Sequence, residues 1–456
     1  MAVSQDTVTE QGKKRWLDAL AVYLRPRVLI VLFLGFSAGL PLALSGSTLL
    51  YWAAEVGVNL KTIGLFALVG TPYTIKFLWA PLLDALDVPV LSRWLGRRRG
   101  WLVFSQLLLM AAIVFLGACD PLTVPGIVAF GGLMVAAASA TQDIVIDAYR
   151  IESLPENEQA AGMASYVAAY RVGMLVSSAG ALYIVSGFES FGFTKQGAWT
   201  ASYAVMAALV LIGVATTLVA TEPEKSAAAV REHSGMGVID RLQTTVLGAF
   251  KDFFEREGLV VAVVVLVFVV LFKLTDALAG VMTGPFTVDL GFTRNEYATI
   301  IKGVGLAASL VGGFAGGYVA RAFPLATSLW IGGILQALAN FAFSWQAVVG
   351  RDLGWLTFAI TVENFTSAIG TVIFVAYLSA LCKNPLHTAT QYALLTALAA
   401  VGRTYISAGA GFIATATGWV WFFAICALAG IPGLLLLAWL QARGHFATLG
   451  NSKSER

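Results

Sequence analysis

The sequence predicts an all-α polytopic membrane protein, with twelve transmembrane helices arranged in two six-helix halves. Three observations carry this. Of the 456 residues, 58% are hydrophobic and 12% charged, with a mean hydropathy of +0.80, too little polar surface to coat soluble domains. Apolar runs of about 20 residues, the length that crosses a hydrocarbon core, recur along the chain. A long polar stretch, residues 221–257, falls near the middle.

In chain order, a polar segment (1–27) precedes spans expected at 28–54, 62–83, 101–118, 124–149, 159–187 and 198–220, which make up a first half, 28–220. The polar start and the long run after it do not read as a cleavable signal, so the first helix is expected to stay as an anchor. The linker 221–257 repeats apolar residues at helical spacing, Ile239, Leu242, Val246, Phe250 and Phe253. It reads as a helix lying on the membrane surface or packed on the bundle. The second half, 258–440, has spans at 258–288, 296–320, 324–348, 353–381, 388–415 and 419–440, followed by a polar tail, 441–456. Twenty Lys and Arg fall on the side holding both termini against four opposite, which places both termini in the cytoplasm.

Cys119, Cys382 and Cys426 are too dispersed for a disulfide or zinc framework. His233, His387 and His445 lie in loops or at a helix end, which argues against a membrane-embedded histidine relay. No cofactor, metal or nucleic acid is expected. The partners expected are a solute, protons and membrane lipid, with the chain acting as a monomer.

The halves repeat weakly. Gln159 and Arg171 are twelve residues apart, as are Gln391 and Arg403, at an offset of 232; Gly57 and Gly291 recur at 234, and Ala148-Tyr149 as Ala376-Tyr377 at 228. A near-constant offset argues for parallel six-helix repeats, the arrangement of the major facilitator fold. Gly312, Gly313, Gly316 and Gly317 form a small-residue helix-packing pattern.

Five basic residues, Lys76, Arg171, Lys273, Lys302 and Arg403, sit inside the apolar runs. Arg or Lys at a helix centre costs roughly 2.5–3.5 kcal/mol on insertion scales, so such residues face a protein interior or a water-filled cavity. Arg171, Lys273, Asp276, Lys302, Glu363, Asn364 and Arg403 fall within about 8 Å of their spans' centres at 1.5 Å per residue. Lys76 lies nearer the cytoplasmic third, where snorkelling competes with a pathway role. Lys273 and Asp276 share a helix face, as do Asp143 and Asp147.

The five cations face four interior carboxylates, Asp143, Asp147, Asp276 and Glu363. Burial disfavours a carboxylate's charged form, which tilts the balance further toward an anionic solute. The substrate-binding candidates are therefore Arg171, Lys273, Lys302 and Arg403, with Asn364, Gln142 and Gln391 as hydrogen-bonding neighbours. Asp276, Glu363 and Asp143 are the proton-coupling candidates, because a carboxylate can change protonation as the protein alternates. Asp147 with Arg150 reads equally as a gate or a structural ion pair.

Several strings together carry a family resemblance: GFSAGLPLAL at 35–44, LKTIG at 60–64, KFLWAPLLD at 76–84, GRRRGW at 96–101, ATQDIVIDA at 140–148, FKLTDA at 272–277, Glu363-Asn364 and ATQYALL at 389–395. On these the chain resembles the AmpG muropeptide permease family of the major facilitator superfamily. The resemblance implies proton-linked import of N-acetylglucosaminyl-1,6-anhydro-N-acetylmuramic acid and its peptides across a Gram-negative inner membrane. That import serves cell-wall recycling and can feed β-lactamase induction. It also implies a gate in the loop after the second span, with Asp84, Arg97 and Arg98, here stretched around Asp87-Val88-Pro89. Two other readings remain: a transporter of another anionic solute such as acetyl-CoA, and a membrane enzyme acting on a lipid-linked sugar. The second lacks a Cys/His nucleophile arrangement or metal-ligand cluster in the sequence.

Overall fold

In the computed structural model, residues 21–223, 253–256, 258–382 and 388–450 are described. Among these residues, ten helical runs are long and apolar enough to cross a membrane: α1 (Pro26–Glu55), α2 (Arg97–Ala118), α3 (Pro125–Ser153), α4 (Ala161–Ser190), α5 (Lys195–Val219), α6 (Leu259–Asp289), α7 (Arg294–Ala322), α8 (Leu325–Val349), α9 (Leu353–Leu381) and α10 (Leu394–Ala442). The count differs from the expected twelve for two physical reasons. The expected second span, 62–83, is not one helix but a series of short α and 3₁₀ turns between 60 and 85, with Pro72 and Pro81 starting two of them. The expected eleventh and twelfth spans form one 49-residue run, interrupted at Gly418 with φ 71° and ψ 167°. The linker helix expected around 239–253 lies outside the described residues except for Phe253, which is buried.

Helix starts follow local chemistry. Thr293 and Glu296 form a reciprocal capping box that opens α7, and Asp352 accepts from the Trp355 N–H at 2.7 Å to open α9. Gly57 and Gly291, the repeat pair noted above, both adopt left-handed backbone, φ +90° and +81°, where glycine pays no Cβ penalty.

Two contacts between helices depend on missing side chains. A Cβ on Gly35 of α1 would lie 2.6 Å from the Tyr166 carbonyl oxygen of α4. In α7, a Cβ on Gly316 would come 2.9 Å from Ile369 Cα of α9, whereas Gly313 and Gly317 have open space around them. Only one edge of the small-residue pattern is therefore a packing face. Gly35→Ala is expected to destabilise the protein by about 1–3 kcal/mol through overpacking, and Gly313→Ala to leave it unchanged or slightly more stable. Thermal unfolding of the two variants in detergent checks this.

Four helices carry a π-helical turn: Leu44–Thr48 in α1, where Gly46 leaves helical geometry, Val176–Gly180 in α4, Ala298–Val304 in α7 and Gly402–Ile406 in α10. Such turns insert an extra residue into the helix and recur at functional sites.

The apolar cores divide unevenly. One cluster joins both halves, running from Leu49, Trp52 and Trp199 to Met282, Phe286 and Phe423. Two others stay within one half each, around Val31, Leu102 and Ile146 and around Phe268, Ile373 and Leu437. Following the expected orientation, we call the fused end, with turns near Gly57 and Gly291, the outer end and the opposite one the inner end.

Candidate functional site

Three cavities of about 280, 490 and 430 Å³ lie side by side, the first two lined by both halves and the third by first-half residues, each near or within the roughly 300–1,000 Å³ range of ligand pockets. Ser47 and Gly280 line both the first and the second, and Arg171 and Met174 line both the first and the third, so the three adjoin and are together called the chamber.

The first compartment holds Lys302, Glu363, Asn364 and Arg171. Lys302 sits in the π turn of α7 and donates to Ser47 Oγ of α1 at 2.9 Å, a contact across the two halves. On α9, Asn364 Nδ2 donates to Glu363 Oε2 at 2.7 Å and to the Ile360 carbonyl at 3.0 Å, while Asn364 Oδ1 accepts from Ser309 of α7 at 3.2 Å.

The second compartment holds Lys273, Asp276 and Arg403. Lys273 occupies a break in α6, with φ −99° and ψ 7°, between helices Leu259–Phe272 and Leu274–Asp289. Asp276 thus lies in a first helical turn, where exposed N–H groups favour an anion. Lys273 Nζ lies 2.5 Å from Asp276 Oδ2 and donates to Thr371 Oγ1 at 3.0 Å, and Ser367 Oγ donates to the same Asp276 oxygen at 2.7 Å. Arg403, in the π turn of α10, is exposed to the chamber.

The third compartment is lined by Lys76, Asp143, Asp147, Tyr166, Tyr170 and Arg171. Asp143 is buried and its Oδ1 has no hydrogen-bond partner among the described residues. Asp147 pairs with Arg150 at 3.6 Å along α3.

The remaining candidates lie elsewhere. Gln142 is fully buried between α3 and α1, with its Nε2 3.4 Å from Ser37 Oγ. Gln391 is buried beside a separate, mostly apolar pocket near Thr74, Leu394 and Tyr405. The Asp84 side chain is outside those described. Arg97 is half-buried at the start of α2. Arg98 is buried and makes a two-point contact with Glu152 of α3, while Glu222 accepts from the backbone N–H groups of Arg98 and Arg99. These bonds tie the inner ends of α2, α3 and the segment after α5 together within the first half.

One cluster was counted in the sequence only as loop charge. At the outer end Arg294, 8% exposed, donates to Glu189 at 2.8 Å and lies 2.7 Å from Glu55, both carboxylates belonging to the other half. Trp199 donates to Glu55 at 2.9 Å and stacks beneath the Arg294 guanidinium. Tyr51 packs on Tyr297 with ring centroids 4.3 Å apart, and Tyr183 bonds Thr299 across the same seam. The ion pairs of Arg294 with Glu55 and Glu189 thus join the halves at this outer end. The chamber is sealed there. The signal available was sparse: Arg294 is one of four basic residues on the outer side, opposite carboxylates that close two first-half spans.

Comparison with known proteins matches residues 31–403 to the family model of the Major Facilitator Superfamily. The chain is 39% identical to the anhydromuropeptide permease of Escherichia coli K12, over 92% of this chain and 80% of that protein. It is 36% identical to the putative transporter AmpG 4 of Rickettsia conorii, over 91% of this chain and 97% of that protein. Among solved structures, a bacterial homolog of the human lysosomal transporter Spinster, in an inward-facing and unoccupied conformation, superposes with a TM-score of 0.64 at 14% identity, covering 93% of this chain and 97% of that one.

Proposed function

The chain belongs to the Major Facilitator Superfamily, among its AmpG-type permeases, and from that membership we propose that it imports anhydro-muropeptides into the cytoplasm in symport with protons. The cargo is N-acetylglucosaminyl-1,6-anhydro-N-acetylmuramic acid, with or without peptide, crossing a bacterial inner membrane for cell-wall recycling. The protein is a membrane transporter rather than an enzyme. Both termini lie in the cytoplasm in this reading, and the chain crosses twelve times.

The observation that carries the reading is the placement of Arg171, Lys273, Lys302 and Arg403 around adjoining cavities among the apolar helices. Arg171 and Arg403 make no ion pair among the described residues, so their guanidinium groups are available to substrate carboxylates through charge-assisted hydrogen bonds. Arg171→Ala is expected to weaken binding of the peptide-bearing substrate roughly ten- to a hundredfold, the equivalent of about 1.5–3 kcal/mol. A binding isotherm on purified protein measures it; unchanged affinity in a folded variant removes Arg171 from the site.

The coupling follows from the Lys273–Asp276 contact. While Asp276 is ionised it holds the lysine ammonium. A proton on Asp276 weakens that hold and frees Lys273 for a substrate carboxylate, so proton and substrate favour each other's binding. Reorientation of the halves about the chamber then carries both inward. Uptake of labelled anhydro-disaccharide into membrane vesicles, with and without an inward proton gradient, tests the reading. Gradient-dependent accumulation supports it. Uptake indifferent to pH removes the proton, and displacement by a CoA ester but not by anhydro-muropeptide assigns a different anion.

A further inference from the structure

The loop before α2, stretched around Asp87-Val88-Pro89, carries an exposed apolar tip. Among the described residues, Val90 is the one non-glycine with a left-handed backbone, φ 69°, a conformation that a β-branched residue adopts only where its surroundings impose it. Here they do. Val90 leads into a short helix, Leu91–Leu95. The Val88 N–H donates to Ser92 Oγ at 2.9 Å, and Ser92 lies so close to α2 that a Cβ on Gly100 would come within 2.8 Å of its hydroxyl. The loop is thus clamped to α2, while Val90 and Trp94, four residues apart, stay outside, with Trp94 82% exposed.

Its depth follows from α2. Phe104, Leu107 and Leu108 are exposed on that span, where an apolar side chain outside the bundle faces hydrocarbon. Trp101, about one turn nearer the inner end, packs edge-on against Phe104 with ring centroids 5.7 Å apart and donates its Nε1 proton to the Leu86 carbonyl at 2.8 Å. An indole with an apolar body and a bonded N–H suits the boundary between hydrocarbon and headgroups. The exposed apolar surface continues from there through Leu86 to Val90 and Trp94.

Charge complements it. Four arginines fall within 93–99. Arg98 and Arg99 turn inward, to Glu152 and to the Thr217 and Leu218 carbonyls, whereas Arg93 is exposed beside Trp94. Asp87, also exposed, is the loop's one acidic residue among the described side chains.

We propose that this tip docks an anionic phospholipid of the inner leaflet: Val90 and Trp94 enter between the headgroups and Arg93 binds the phosphate. The site uses no chamber residue and rests only on the chain's spanning the membrane. It gives the first half a hold on the leaflet at the end where Arg98, Glu152 and Glu222 already tie its helices together.

The test places an environment-sensitive dye on Trp94→Cys in the full-length protein, in a background without the three native cysteines. In vesicles of phosphatidylglycerol and phosphatidylcholine, lipids with a nitroxide at the top of the acyl chain are expected to quench the dye at least twofold more than aqueous iodide does. In detergent, phosphatidylglycerol is expected to shift the dye at concentrations roughly fivefold higher once Arg93→Gln is added, the pull of one basic residue at an anionic surface, while the response to phosphatidylcholine is the same with either residue. Quenching by iodide alone, or a phosphatidylglycerol response indifferent to Arg93→Gln, overturns the proposal. So does a full response to inorganic phosphate, which marks a free-anion site, and so does shielding that tracks protein density in the vesicles, which assigns the face to a second copy of the chain.

Discussion

Asp276→Asn is expected to abolish accumulation of substrate against its gradient while leaving substrate exchange running. Asparagine keeps the shape and can still accept from Ser367, which donates to Asp276 at 2.7 Å, but it carries no charge to hold Lys273 and has no proton to release. Lys273 is then free whatever the pH, so substrate binds without its proton and the gradient does no work on it. The effect on uphill uptake is all or none, because coupling needs a titrating group. Measured side by side, pH-driven uptake should fall to background, and exchange at equal concentrations inside and out should persist. A variant that still accumulates substrate fully with pH moves the coupling to Glu363 or Asp143. One that loses both activities marks Lys273 and Asp276 as a structural ion pair.

The second large effect is expected at the outer seal. Arg294→Ala removes the cation that two carboxylates of the opposite half share. Removing one partner of a buried pair costs about 3–5 kcal/mol. That cost falls on the sealed conformation alone and shifts the equilibrium toward the outward-open one by roughly a hundredfold or more. Glu55 carries more of it than Glu189, because its side chain is 14% exposed against 32% and water screens the more open pair. Glu55→Gln should therefore open the seal further than Glu189→Gln. A single cysteine at Ser309, in a background without the three native cysteines, reports opening through its labelling rate by a membrane-impermeant thiol reagent applied outside. Labelling no faster in Arg294→Ala than in the parent shows that the pair does not hold the seal.

Much of the chamber was legible in the sequence because charge at membrane depth is costly. Arg171, Lys273, Lys302 and Arg403 were singled out on that ground, and all four line it. The two glutamines named as their hydrogen-bonding neighbours lie elsewhere. Gln142 finds a partner in Ser37 inside the first half, and Gln391 lies beside the separate apolar pocket; a side chain that can be satisfied locally need not face a cavity. Ser47, Ser367 and Thr371 escaped notice for the opposite reason, since a hydroxyl can bond its own helix and costs little in an apolar run. Arg294 was invisible as part of a seal because its partners are brought to it from other spans, and hydropathy has no term for contacts so distant in the chain. The second span illustrates the limit for the fold, because its composition is that of a crossing while its prolines divide it into short turns.

The four π turns have a consequence for how the chain tolerates change in length. Ser47, Ser178, Lys302 and Arg403 all belong to these turns and all line the chamber. Each turn holds one residue more than an α-helix would place there. Deleting one residue of such a turn lets it close into regular α-helix with the flanking segments kept in register, so the change falls on the side chains of the turn itself. At 402–406, loss of Gly402 would set Arg403 where Gly402 packs against Val270, about 100° around the helix, without altering the identity of a single side chain that lines the chamber. The spacing of residues along these four helices therefore encodes the site as directly as their chemistry does. A frame-preserving loss of one codon here should cost transport as much as replacing the arginine.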